Sequence, residues 1–179
     1  GLAIARRARR SAFASRVRKV RRMIRAVLFD LGNTLVRYYE AHEFPGVLQE
    51  CLTECGVALA WAPDPERDRR LLERALSFNH ERPDFAVGLL AERLLGIFGA
   101  HVALDEDGLG RLSAAFLKPI FATARLDPTA AGVLRTLRER GIKTAIVSNT
   151  PWGSPADAWR GELKRHGLLE AVDAAVFCV

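Results

Sequence analysis

The first clear pattern in the chain is a short apolar run that ends in a carboxylate. Residues 24–30 read Ile-Arg-Ala-Val-Leu-Phe-Asp, and the turn-forming residues Gly32 and Asn33 follow directly. A continuous apolar run bounded by a turn is typical of a strand buried on both faces of a parallel sheet. We therefore predict a buried strand that ends at Asp30.

From about residue 38 to residue 124 the apolar positions recur at helical spacing, and no segment there resembles a strand. The pattern predicts four helices. The first covers Pro45–Cys55 and stops at Gly56, and the second starts at Asp64–Pro65 with Leu71, Leu72, Ala75 and Leu76 facing inward. The third is capped by Asp84 with Phe85, Leu89, Leu90, Leu94 and Phe98 facing inward, and the fourth contains Leu109, Leu112, Ala115 and Phe116 and ends before Pro119. We expect an all-helical insertion.

After residue 125 helices and strands alternate. The expected order is a helix from Asp127 to Arg140, a strand over 142–147, a loop over 148–153, a helix from the N-cap Ser154 to His166, and a strand over 174–179. Such alternation requires a parallel sheet with helices on its faces. The predicted fold class is α/β, a Rossmann-like and incomplete parallel sheet of about three strands. Its expected core is 24–37 with 125–179, and 38–124 is the helical cap.

Composition narrows the class of protein. The chain has 179 residues, 49% of them apolar, which excludes a disordered chain and suffices for one domain with an insertion. No apolar stretch approaches the roughly 18 residues of a membrane-spanning helix, so we expect a soluble protein without a membrane partner. Cys51, Cys55 and Cys178 form no CxxC pair, so we expect a reducing, cytoplasmic location.

The net charge of +6 comes from one end of the chain. Residues 1–25 hold ten Arg or Lys and no acid, whereas the other 154 residues hold 17 bases against 21 acids, a net charge of −4. The basic arm over 1–23 has three interpretations: a phosphate-binding tail for nucleic acid or a membrane surface, a transit peptide, or non-native sequence upstream of Met23. We favour the last, so nucleic acid is not the expected partner.

Polar side chains follow two of the predicted strands. Asp30 ends the first strand, and Ser148 and Asn149 end the second. Ligands of open parallel sheets gather at the carboxyl ends of the strands. A carboxylate there can act as nucleophile or metal ligand, and a hydroxyl can hold phosphoryl oxygens. Each residue alone is also compatible with an ordinary turn, but together on adjacent strands they favour function.

These same residues carry a family resemblance. Val27–Leu35, Val-Leu-Phe-Asp-Leu-Gly-Asn-Thr-Leu, resembles the first motif of the haloacid dehalogenase-like hydrolase superfamily, and Ala145–Asn149, Ala-Ile-Val-Ser-Asn, resembles its second. The helical block between them matches the superfamily's cap. The resemblance implies a hydrolase, most simply a phosphatase that acts on a small phosphorylated metabolite through an aspartyl intermediate.

The resemblance also implies roles for individual residues. Asp30 would be the nucleophile and a ligand of Mg²⁺, the implied cofactor. Ser148, helped by Asn149, would grip the transferred group. The backbone of Leu31 and Gly32 would supply an N–H to the phosphoryl group and a carbonyl to the metal. Thr34 would brace the turn.

Two departures bear on activity. Phosphatases of the superfamily usually carry a second aspartate, an acid/base, where this chain has Gly32, and its loss lowers turnover by about 10²–10⁴-fold. Dehalogenase and phosphonatase branches also lack that aspartate, so they remain alternatives.

The family's third and fourth motifs, a cation and an acidic pair, would follow the third strand, whereas the sequence stops at Val179. Arg160 and Lys164 precede that strand, so neither is expected to replace the missing cation of the third motif.

The sequence is therefore interpreted as a truncated member, and an inactive fragment or binding protein remains the alternative. An uncovered edge of the sheet predicts a poorly soluble or partly molten chain.

Two tryptophans, Trp152 and Trp159, flank the loop and helix after Ser148. Packing against the sheet explains both, and a substrate-facing role for Trp152 stays open because its loop leaves the strand end.

Overall fold

Three strands of the computed structural model form one parallel sheet, and the predicted α/β class is confirmed. The structure describes residues 24–78, 88–99 and 101–178. The strands are β1 (Ala26–Phe29), β4 (Lys143–Asn149) and β5 (Ala174–Cys178), in the order β1-β4-β5. Phe29 of β1 pairs with Ile146, and Ser148 pairs with Phe177 of β5. The three carboxyl ends therefore lie at one edge of the sheet.

One face of the sheet is covered by helices α5 (Ala130–Glu139) and α6 (Ala156–Arg165). The chain moves in one direction from β1 to β4 to β5, and right-handed crossovers place both helices on the same side. Burial along β4 agrees, because Thr144, Ile146 and Ser148 are buried while Lys143, Val147 and Asn149 are exposed. The predicted strand over 142–147 thus extends through Ser148 and Asn149.

Within the described residues, four helices follow β1 and precede α5 in sequence: α1 (Phe44–Ala58), α2 (Pro65–Ser77), α3 (Leu90–Phe98) and α4 (Glu106–Thr123). The predicted cap of α2 is confirmed, since the Asp64 carboxylate accepts the N–H groups of Glu66 and Arg67 at 3.1 and 3.0 Å. The predicted cap Asp84 and its neighbour Phe85 lie outside the described residues. No helix in the described ranges is long and apolar enough to cross a membrane.

Helix α4 corrects one sequence expectation. The helix was predicted to end before Pro119, but it continues through this residue to Thr123. A proline inside a helix costs about 3 kcal/mol because it removes one hydrogen bond and crowds the preceding turn. Phe116, Leu117 and Ile120 are buried around it, and α4 makes its most extensive contacts with α1. Burial of these side chains outweighs the cost of the proline.

Two further expectations about helices are wrong in detail. Ser154 does not cap α6: its hydroxyl donates to the carbonyl of Pro151 at 2.6 Å and accepts the indole N–H of Trp159 at 2.8 Å. The side chain thus serves tertiary packing instead of the helix end. Leu76 and Leu89 were assigned to buried stripes, but they are 37% and 47% exposed. Leu76 lies in the last turn of α2, and Leu89 is the N-cap residue that precedes α3.

A short antiparallel pair that the sequence did not predict joins the two ends of the helical segment. β2 (Val36–Arg37) pairs with β3 (Arg125–Leu126), with Val36 opposite Leu126. The pairing continues as a hydrogen bond from the Asp127 N–H to the Leu35 carbonyl at 2.9 Å. Hydrogen bonds from Thr129, aided by Arg37, lower the pKa of Asp127. Both ends of the segment are therefore held beside the parallel sheet, and its division into core and cap stays a prediction.

The second face of the sheet exposes apolar side chains, so the expectation that the strand before Asp30 is buried on both faces is wrong. Leu28 is 69%, Val147 39% and Val176 51% exposed, and Val147 and Val176 are neighbours in the β4–β5 register. Contiguous exposed apolar surface on a sheet favours association between molecules. The expectation of poor solubility, which rested on an uncovered edge of the sheet, stays a prediction, and the exposed apolar face is a second physical reason for it.

We predict that the double substitution Leu28→Lys and Val176→Lys reduces self-association of the chain. Both side chains are exposed, so the free energy of unfolding should change by only about 0.5 kcal/mol per site. Static light scattering and sedimentation velocity measure the effect. Val57→Lys, at a 67% exposed position at the end of α1, is the matched control and should leave association unchanged. Equal improvement by this control would show that charge alone, and not the sheet face, governs solubility.

Candidate active site

The loop after β1 is a tight turn built around one buried backbone carbonyl. The Leu31 carbonyl accepts the N–H groups of Thr34, Leu35 and Val36 at 3.3, 2.9 and 3.1 Å, and the Leu31 side chain is 1% exposed. Asn33 has a left-handed backbone with φ of 55°, which asparagine tolerates better than most residues. The turn leaves Asp30, Gly32 and Asn33 exposed at the edge of the sheet.

The Ser148 side chain contacts Asp30 directly. Its hydroxyl donates to Oδ1 of Asp30 at 2.8 Å and lies 3.3 Å from the Asn149 carbonyl, a second acceptor. Ser148 is 8% exposed, and Asn149, the last residue of β4, is exposed. The expected proximity of the two strand-end side chains is therefore present. The roles assigned to these residues stay predictions.

The donor atoms at this edge fit a hard cation that shares its coordination with substrate and water. No group of three or more His, Cys, Asp or Glu side chains within the described ranges is placed to hold a metal ion. The edge does present the Asp30 carboxylate and the backbone carbonyl of the exposed Gly32. Mg²⁺ is often held by one or two carboxylates together with water and substrate phosphate. The oxygen donors present therefore suit Mg²⁺, although they do not enclose it.

The loop after β4 has an unusual backbone. It forms a short 3₁₀ turn over Pro151–Gly153, and both Trp152 and Gly153 have left-handed φ angles, 58° and 65°. A bulky residue is rare in that region. A Cβ atom on Gly153 would lie 2.3 Å from the carbonyl oxygen of Gly88, so only glycine allows this approach. The loop is thereby held against the segment that leads into α3.

Trp152 and Trp159 pack in different ways. Trp159 is 1% exposed and lies edge-on to Tyr38 and to Phe121 of α4, so its ring is part of the core, and packing against the sheet itself stays a prediction. Trp152 is 8% exposed, with its ring centroid 5.1 Å from that of Phe116 of α4. The guanidinium of Arg93 from α3 lies 5.1 Å from the centroid of the Trp152 ring. Trp152 therefore packs beneath the helices instead of against the sheet.

Sequence reasoning missed Arg93 and Thr150. Arg93 lies on the inward side of α3, three residues after Leu90 and four before Ile97, which are both buried. A charged residue on an apolar helical face is a signal that the sequence offered. Thr150 is 2% exposed, and its Oγ1 has no hydrogen-bond partner among the described residues. No sequence pattern marks that threonine. Arg160, by contrast, donates to the Ala175 carbonyl at 3.2 Å from α6.

A family model described as haloacid dehalogenase-like hydrolase matches residues 24–179, and the chain belongs to this family. The two motifs, the turn at Asp30 and the strand end at Ser148, lie within the matched range. No curated protein matches the chain significantly.

Solved structures with a similar arrangement come from several microbes. They include a HAD phosphatase from Thermococcus onnurineus (22% identity, 86% of this chain and 61% of that chain, TM-score 0.45). Others are CbbY from Rhodobacter sphaeroides in complex with phosphate (23%, 87% and 64%, 0.44) and magnesium-bound YfnB from Bacillus subtilis (12%, 86% and 63%, 0.46). The chain thus spans about three fifths of the length of the structures it matches.

We predict that Gly153→Ala destabilises the fold and moves the loop. The new Cβ would meet the Gly88 carbonyl and would also require a left-handed alanine, at a combined cost of about 2–4 kcal/mol. Thermal unfolding followed by circular dichroism measures the loss. Gly132→Ala on α5, where a Cβ has nothing within 4 Å, is the matched control and should be neutral or stabilising. A Gly153→Ala protein as stable as wild type would contradict the close approach.

Proposed function

We propose that this protein is a Mg²⁺-dependent phosphatase that hydrolyses a small phosphorylated metabolite through an aspartyl-phosphate on Asp30. The observation that carries the proposal is the 2.8 Å hydrogen bond between Ser148 Oγ and Asp30 Oδ1 at the carboxyl edge of a parallel sheet. This hydrogen bond orients an exposed carboxylate at the place where ligands of such sheets bind. Membership of a hydrolase family supports the same reaction class.

The proposed first step is attack by the Asp30 carboxylate on phosphorus. A bond forms between a carboxylate oxygen and phosphorus, and the bond from phosphorus to the leaving oxygen breaks. A serine hydroxyl has one proton, so Ser148 donates either to Asp30 or to a phosphoryl oxygen. Transfer of that hydrogen bond to the substrate would stabilise the charge that develops on the phosphoryl oxygens.

Water completes the reaction in the second step. Its oxygen attacks phosphorus, the bond to Asp30 breaks, and inorganic phosphate leaves while the carboxylate is restored. Asp30 and the Gly32 carbonyl are the groups that would hold Mg²⁺, which, when bound, supplies positive charge to a reaction between two anions. The N–H groups of the turn at Leu31 and Gly32 lie beside the same carboxylate and are suited to phosphoryl oxygens.

Gly32 favours a second candidate reaction. An alkoxide leaving group needs a proton, whereas a halide leaves without one, so a site without an acid two residues after the nucleophile also suits carbon–halogen cleavage. In that reaction Asp30 would displace halide from carbon and water would hydrolyse the resulting ester. Halide release from short 2-chlorocarboxylic acids, measured beside phosphate release, separates the two candidates.

We predict that Asp30→Asn abolishes phosphate release, because it removes the nucleophile. Ser148→Ala should lower phosphate release by about 10²-fold, because it removes a hydrogen-bond donor that stabilises the developing charge. A panel of phosphate monoesters with Mg²⁺ and a phosphate-release assay test both. Asp157→Asn, whose side chain is 99% exposed on α6, is the matched control. Activity that survives Asp30→Asn would remove the proposed nucleophile, and the absence of any activity would favour a binding protein.

We further predict that Gly32→Asp raises turnover. A Cβ at Gly32 has nothing within 4 Å, so an aspartate fits and can protonate the leaving group, with a gain of up to about 10²–10⁴-fold. The gain should be large for alkyl phosphates and small for an aryl phosphate, which needs little protonation. Gly32→Asn, equal in size but without an acid, is the matched control. Equal rates for the two variants on alkyl phosphates would show that acid catalysis does not limit turnover.

A further inference from the structure

The guanidinium of Arg93 is held over the ring of a residue that immediately follows the proposed active-site strand. Ser148 and Asn149 end β4, and Trp152 is three residues beyond Asn149. Four residues span at most about 14 Å, and the 3₁₀ turn shortens this distance. Arg93, whose guanidinium lies 5.1 Å from the Trp152 ring centroid, therefore lies near the strand end that carries Ser148.

The position of Arg93 is fixed by a backbone contact and not by the cation–π interaction alone. The Gly88 carbonyl meets Gly153 so closely that no Cβ fits between them. Two residues after Gly88 the helix α3 begins, and Arg93 lies in its first turns. The Arg93 Nε atom lies 3.8 Å from the position of a Cβ on Gly88. The strand-end loop and the start of α3 thus carry Trp152 and Arg93 into contact.

The surroundings of Arg93 are unfavourable for a cation. Burial lowers the pKa of its guanidinium, and the first turns of a helix carry a partial positive charge. The exposed Glu92 carboxylate lies nearby, with Oε2 at 3.8 Å from the same Gly88 Cβ position as Arg93 Nε, but no ion pair between the two side chains is present in the described part of the chain. The indole N–H of the buried Trp152 also has no hydrogen-bond partner among the described residues. A desolvated guanidinium beside a ring whose buried N–H lacks a partner favours an anion bound at the edge of the guanidinium.

From this geometry we propose that Arg93 is a specificity-determining residue that binds a second anionic group on the substrate, at the end opposite the phosphoryl group. The inference rests on the proposed function, because the first anionic group is the phosphoryl group at Asp30. A guanidinium that stacks through its face leaves its edge for bidentate hydrogen bonds, which carboxylate and phosphate accept equally well. The substrate class is thus a phosphate monoester that bears a carboxylate or a second phosphate.

Two pairs of probes test the inference and separate the two anions. 3-Phosphoglycerate and glycerol 3-phosphate differ only in a carboxylate against a hydroxymethyl group. 1,3-Propanediol bisphosphate and 3-hydroxypropyl phosphate differ only in the second phosphate. We expect wild type to prefer, in kcat/KM, the member with two anionic groups in at least one pair. Arg93→Gln should lower kcat/KM for that member by about 10–100-fold while changing its partner less than threefold.

Matched variants separate recognition from packing. Arg93→Lys keeps the charge without the bidentate edge and should recover part of the preference. Arg70→Gln removes one exposed arginine from α2, where it pairs with Glu66, and should leave the preference unchanged. A purely structural Arg93 would lower both members of a pair equally. That result, or the absence of any preference in wild type, overturns the inference.

Binding to the Asp30→Asn form by calorimetry, with Mg²⁺ present, keeps the inference testable without turnover. If binding favours the compound with two anionic groups and Arg93→Gln removes this preference, the inference is supported. This holds even if no Asp30-dependent hydrolysis is found, in which case only the proposed function fails. Hydrolysis that depends on Asp30, with a preference insensitive to Arg93, leaves the proposed function and removes the inference. The absence of measurable binding of both 3-phosphoglycerate and 1,3-propanediol bisphosphate also overturns the inference.

Discussion

The contact between Ser148 and Asp30 depends on the parallel pairing of β1 with β4. Phe29 lies beside Ile146, so Asp30, the residue after β1, comes level with Val147, next to Ser148 at the end of β4. A shift of β4 by one residue would turn Ser148 to the opposite face of the sheet, because side chains alternate along a strand. The buried side chain of Ile146 under α5 and α6, together with Leu31 beneath the turn, fixes this register. The site is therefore a consequence of how the sheet packs.

The same register explains why the central pair was predictable from sequence. Apolar runs marked both strands, and carboxyl ends of neighbouring parallel strands must meet at one edge. Asp30 and Ser148, 118 residues apart in sequence, could thus be placed together without coordinates. Helical periodicity likewise predicted α1 to α4, because each buries one stripe of side chains. These features depend on local patterns and on the handedness of the chain.

What the sequence could not supply depends on tertiary contact. A proline normally ends a helix, and only packing against α1 shows why α4 continues through Pro119. Ser154 has the sequence of an N-cap, yet the buried indole of Trp159 takes its hydroxyl instead. Arg93 is recognisable as a charge on an apolar face, but its partner Trp152 comes from a loop 59 residues away in sequence. Contacts of this kind have no local signature.

The pairing of β2 with β3 has a consequence for how the protein can vary. Because Val36 lies opposite Leu126, the points at which the chain leaves the sheet and returns to it are neighbours. The entropy of closing such a loop grows only with the logarithm of its length. The parallel strands therefore tolerate an inserted segment of almost any length between these two residues. Shortening, lengthening or exchanging the inserted segment would leave the hydrogen-bond ladder of β1, β4 and β5 in place.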